Sequence, residues 1–128
     1  VTRSLSLIAA LSGLYDVLIG AGLLFAPATV ASWFGAATPT PLLHVNLAGW
    51  LLVGIGLGYW QPFRQPMQHR AYLWIMGPLL KGGGALIFVA DHVARRSPSS
   101  FLLFALTDGA LAAVTWWALV ASRVRASR

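Results

Sequence analysis

Met76-Gly77-Pro78-Leu79-Leu80-Lys81-Gly82-Gly83-Gly84-Ala85 places the only lysine of the chain inside a long apolar segment. A charged residue at the centre of a membrane helix costs about 2.5–3.5 kcal/mol on insertion scales, so Lys81 needs a partner and, by default, a role. Composition decides what surrounds it. Hydrophobic residues make up 58% of the chain and charged residues 9%, against roughly 45–50% and about 25% in average soluble domains. Too few polar residues remain to coat a soluble fold, whereas lipid covers the outside of a membrane-embedded one.

Four apolar runs, near 5–26, 42–60, 71–94 and 101–122, each have the length of a transmembrane helix. The expected fold is therefore all-α: a single domain over residues 1–128, built as a four-transmembrane-helix bundle. The first run is too long for a signal peptide and carries Asp16 at its middle, which argues against cleavage. Between the first two runs, Pro27 to Pro41 contains no charged residue. Thr29 to Gly35 reads there as a short interfacial turn, with Trp33 and Phe34 at headgroup depth and Gly35 as its stop.

The net charge of +6 does not indicate nucleic acid, because the basic residues sit between apolar runs rather than in one patch. Arg3, Arg64, Arg70, Arg123, Arg125 and Arg128 fall on one side of the expected membrane, and Arg95 and Arg96 on the other. The positive-inside rule then predicts both termini in the cytoplasm of a multi-pass membrane protein. Tyr59, Trp60, Tyr72, Trp74, Trp116 and Trp117 form an expected aromatic belt on that side. The chain has no cysteine, which excludes disulfides and thiol chemistry.

The three acidic residues, Asp16, Asp91 and Asp108, all lie in the apolar runs. At a helical rise of 1.5 Å per residue, Asp16, Lys81 and Asp108 lie at about 16, 15 and 21 Å from the cytoplasmic ends of their runs. Each is flanked at helical spacing by small residues: Ala9, Ser12, Gly13 and Gly20; Gly77, Pro78, Gly84 and Ala85; Ala105, Ala112 and Thr115. A buried cluster of two carboxylates sharing the Lys81 ammonium is expected. With one carboxylate ionised against Lys81, the second tends to hold its proton, which makes the cluster a candidate proton or ligand site. A structural staple that sets which helices pair is the competing reading. Pro78 is expected to kink the helix just before Lys81.

Gly13, Gly20, Gly49, Gly54, Gly56, Gly58, Gly84 and Gly109 are candidate helix-packing positions, with Gly54 and Gly58 forming a GxxxG pair. Tyr15 and Asn46 are candidate supporting polar groups. His44, Asp91 and His92 are the one combination that offers metal ligands, on the outer side, but no local ligand motif supports it and no metal is expected. Gly82-Gly83-Gly84 lacks the strand and the GK[ST] ending of a phosphate loop.

Tyr15-Asp16 with Gly20, Pro27, Phe34-Gly35, Gly49 and Gly54, Lys81, and Asp108-Gly109 follow one another in an order that resembles small bacterial four-helix membrane proteins of the DoxX-like kind. The resemblance implies a bacterial inner membrane, and because some of those proteins are linked to quinone or thiosulfate chemistry it extends that chemistry to this chain as an expectation. The residues themselves favour a non-catalytic role, as an accessory or assembly subunit of a larger membrane complex or as a binder of a lipid or quinone. A proton-linked carrier using Asp16, Lys81 and Asp108 is the alternative from another class. No cofactor is expected beyond such a lipophilic ligand. Expected partners are membrane lipids and either other membrane subunits or further copies of the chain.

Overall fold

The computed structural model describes residues 2–128, and among them every regular element is helical. Four helices are long and apolar enough to cross a membrane: α1 (Thr2–Phe25), α3 (Leu43–Arg64), α4 (Arg70–Arg95) and α5 (Ser99–Ala126). A short helix, α2 (Pro27–Trp33), follows α1. Leu7, Leu11, Leu14 and Leu18 recur at helical spacing along α1 and are each more than half exposed. Such a stripe is stable only against lipid or another apolar surface.

α1 pairs most extensively with α3, and α4 with α5, while α1 also touches α5. Glycine explains the first pairing. A Cβ on Gly20 would stand 2.6 Å from the Gly49 carbonyl oxygen, and one on Gly49 2.7 Å from that of Gly20. Gly13 and Gly56 meet in the same reciprocal way, at 2.8 and 2.7 Å. The seam is thus Gly13 and Gly20 against Gly56 and Gly49, a spacing of seven residues on each strand of the pair.

The GxxxG pair expected in α3 does not form this seam. Gly54 has nothing within reach of a Cβ, and Gly58 faces the Tyr72 ring instead. Gly84 also faces open space, and Gly109 makes only an ordinary contact with Ala85. In α4 the close approach is made by Gly77, against Thr115 of α5.

At Pro78, where a kink is expected, the helix takes up a π-helical segment, Ile75–Lys81. At a transition from α to π geometry one N–H is passed over by the hydrogen-bond ladder. Pro78, which has no N–H to give, sits where that omission is harmless. The wider turn leaves Lys81 and Gly77 buried while Leu79 points outward.

α3 runs past the expected end at residue 60. A single turn at Tyr59 joins Leu43–Gly58 to Trp60–Arg64, with Pro62 in the first turn of the second piece, where proline is tolerated. α2 starts with Pro27 at its first position and closes on a glycine stop. Gly35 has φ +65°, its N–H donates to Ser32 O at 3.1 Å and that of Ala36 to Ala31 O at 3.0 Å, the two bonds of a Schellman cap. The segment read as an interfacial turn is thus two turns of helix with the predicted stop.

Leu5, Ala9, Tyr59, Leu73, Ala118 and Leu119 are buried in one cluster, where α1 begins, α3 ends, α4 begins and α5 ends. Tyr59, expected in an aromatic belt, is 2% exposed and packs edge-on against Tyr72 with ring centroids 5.1 Å apart. Trp60, Trp116 and Trp117 are exposed as a belt requires. Arg70 closes this end by donating to the Leu119 carbonyl at 2.9 Å and to the Ser122 hydroxyl.

Candidate functional site

At the other end the helices separate around a cavity of about 410 Å³. Asp16 and Ile19 of α1, Leu52 of α3, Leu80 and Lys81 of α4 and Asp108 of α5 reach it from the four long helices. Val30 and Ala31 of α2, with Phe34 and the turn as far as Pro39, cover it. Asp16 lies nine residues before the end of α1, or about 13 Å below the cover at helical rise. The charged groups are therefore the floor of a chamber whose remaining walls are apolar, apart from Tyr15.

Lys81 Nζ donates to Asp16 Oδ1 at 2.5 Å, and the two side chains are 5% and 2% exposed. The small residues that flank Asp16, namely Ala9, Ser12, Gly13 and Gly20, are all buried with it. Gly13 and Gly20 seat α1 against α3, and it is the long Lys81 side chain that reaches across from α4 to Asp16. The ammonium also stands 5.3 Å from the Tyr15 ring centroid and 6.0 Å from that of Tyr59. Those rings offer their negative faces to the cation. A carboxylate and two aromatic faces thus supply the partner that Lys81 needs.

The expected trio is brought to one cavity, with one change in its wiring. The ion pair of Lys81 is with Asp16, and Asp108 lines the chamber without an ion-pair partner among the described residues. Asp16 Oδ2 is likewise buried with no hydrogen-bond partner. Tyr15 lines the chamber, and its hydroxyl meets Thr107 Oγ1 at 2.7 Å. Thr107 donates to the Leu103 carbonyl at 3.0 Å, leaving its oxygen to accept from Tyr15. Asn46 stands outside the lining, its Oδ1 buried and unpartnered.

Phe88, Phe101 and Phe104, which no motif singled out, build the upper wall with Phe34. Phe34 stacks on Phe104 at 4.6 Å between centroids and on Phe101 at 5.7 Å, and Phe88 stacks on Phe104 at 5.4 Å. Phe34 was expected beside Trp33 at the interface. It turns inward instead, while Trp33 is 75% exposed. The Schellman cap is the reason, since it reverses the chain immediately after Phe34. Ser100 Oγ donates to the Phe34 carbonyl at 2.6 Å and ties the cover to the start of α5.

The outer-face histidines do not assemble. No group of three metal-ligating side chains forms among the described residues. Asp91 accepts from Arg95 Nη1 at 2.9 Å and from the Ser97 hydroxyl, His92 Nδ1 meets the Ser97 carbonyl at 2.7 Å, and His44 is exposed. Compared with family models, curated proteins and solved structures, the chain matches none of them.

Proposed function

We propose that this chain is a non-catalytic, multi-pass membrane protein whose four-helix bundle binds one lipophilic molecule. The observation that carries the reading is the cavity. Its volume of about 410 Å³ falls in the range of small-molecule sites, which are mostly apolar with a few convergent polar groups. An apolar chamber with an ion pair and one further carboxylate at its floor matches that description. Such groups hold and orient an amphiphile without forming a bond to it.

The distribution of arginines favours both termini cytoplasmic, and the resemblance to DoxX-like proteins points to a bacterial inner membrane. Arg64 over the exposed Trp60 ring at 5.5 Å, and Arg123 over Trp74 at 5.7 Å, fit a headgroup-level belt at that end. The exposed leucine stripe of α1 is covered by lipid, by another subunit of a larger complex or by a second copy. A quinone suits the chamber by size, and the resemblance to DoxX-like proteins makes it one ligand to look for.

Purification in mild detergent, followed by mass spectrometry of the extracted small molecules, tests the proposal. One class of lipophilic molecule is expected at equimolar amount. A preparation that carries only bulk lipid in its ordinary proportions contradicts it. A proton-linked carrier is the second reading, favoured by three ionisable side chains lining one cavity. Vesicles holding wild type and Asp108→Asn, with a pH-sensitive dye inside, decide it: equal proton fluxes remove coupling through Asp108.

A further inference from the structure

The charge inventory of the chamber narrows the ligand's chemistry, provided that the binding role proposed above holds. α2 and the turn to Pro39 bring no charged side chain to the lining, nor does α3. α1 and α5 each bring a carboxylate, and α4 brings the only ammonium. Lys81 is committed to Asp16 Oδ1. What remains for a ligand is the Asp108 carboxylate and Asp16 Oδ2, an acceptor on a side chain that is 1% exposed and has no partner. A buried acceptor left unsatisfied costs about 1–3 kcal/mol, and more when charged, so a donor arriving there is favoured.

From this geometry we infer that the chamber selects amphiphilic amines, with a protonated amine at the floor against Asp108 and Asp16 Oδ2 and an apolar aryl body above it. The body meets Phe34, Phe88 and Phe104, whose stacked rings give a flat group a surface to lie against. The head has room for several donors, and an ammonium supplies three. With both carboxylates ionised the floor carries a formal charge of minus one, which the empty chamber avoids by keeping a proton on the second carboxylate; one ammonium brings the sum to zero and removes the penalty of an uncompensated carboxylate. A carboxylate head would add to that penalty. An alcohol would satisfy one acceptor and leave the charge.

The test uses full-length protein in nanodiscs of zwitterionic lipid, with empty nanodiscs subtracted, titrated with naphthylmethylamine, naphthylmethanol and naphthoate. The three probes share one aryl body and differ in the head. The amine is expected to bind at least ~10-fold tighter than the alcohol, the scale of one hydrogen bond to a charged group. Naphthoate is expected to bind weakest. Asp108→Asn should bring amine and alcohol within about threefold, whereas Asp108→Glu, which keeps the charge, should retain the preference. Phe104→Ala should weaken all three probes while leaving their order unchanged.

Saturable binding of the three probes with equal affinity, or with the alcohol or naphthoate preferred, overturns the amine assignment and leaves the lipophilic-binding reading standing. Saturable binding of none overturns both. Should Asp108→Asn fail to fold, the comparison of probes on wild type still decides the assignment.

Discussion

At one end of the molecule Leu5, Ala9, Tyr59, Leu73, Ala118 and Leu119 are buried in a single cluster, while at the other the whole of Gly82–Arg95 contains no buried residue. Both ends are apolar, so hydrophobicity does not distinguish them. Side-chain size and the placement of glycine do. The Gly13, Gly20, Gly49 and Gly56 seam holds α1 to α3 backbone to backbone from the packed end up to the depth of the chamber, whereas on the α4 side Gly83 and Gly84 face open space. Stacked phenylalanines prop the cavity end apart. Protein interiors normally reach the packing density of organic crystals, so a chamber of this size is unusual for a part that serves only to hold helices together. The Lys81–Asp16 pair sits where close packing gives way to the chamber.

The largest expected effect tests that boundary. Lys81→Met leaves the Asp16 carboxylate buried without its cation and should cost about 3–5 kcal/mol in unfolding assays in detergent. Adding Asp16→Asn should recover part of the loss. A double variant no more stable than the single one shows that Asp16 is not the energetic partner of Lys81.

Next in size is the contrast between glycines. Gly20→Ala forces a methyl group against the Gly49 carbonyl and should cost ~1–3 kcal/mol, as overpacking does elsewhere. Gly84→Ala meets nothing and should be neutral or stabilising by up to ~1 kcal/mol, because alanine is the better helix former. Equal losses at the two positions, read as melting temperatures in one detergent, break the distinction between the packed seam and the open end.

The cover should respond more weakly and locally. Phe34→Ala removes two stacked contacts worth about 0.5–1.5 kcal/mol each, and Ser100→Ala removes a hydrogen bond worth ~0.5–1.5 kcal/mol. Hydrogen exchange should quicken at the Gly35 and Ala36 amides in both variants and remain unchanged through the α1 seam. Equal acceleration at both places shows that the cover and the packed end unfold as one unit.

The four long helices and the pairing of Asp16 with Lys81 were legible because lipid makes both signals strong. A membrane span needs a continuous apolar run, and a charge inside it needs company. Gly13, Gly20, Gly49 and Gly56 were legible as packing positions, but which of them meet was not. A four-residue spacing drew attention to Gly54 and Gly58, while this pair of helices meets every seven residues. Phe34 and Tyr59 were misplaced for a related reason: an aromatic residue at the end of a span reads as an interface anchor, and a helix cap or a single turn is enough to point it inward. Pro78 signalled a disturbance of the helix without revealing that a π-helical segment absorbs it. The chamber had no signature in one dimension, since a void depends on which side chains fail to meet.

Native mass spectrometry of wild type beside Leu52→Trp tests the central claim most directly. Leu52 lines the chamber, and an indole there occupies the space a ligand needs while leaving the Lys81–Asp16 pair in place. The account predicts a one-to-one adduct on wild type that Leu52→Trp lacks, with the variant as stable as wild type. An adduct retained undiminished on Leu52→Trp, or absent from both proteins, contradicts it.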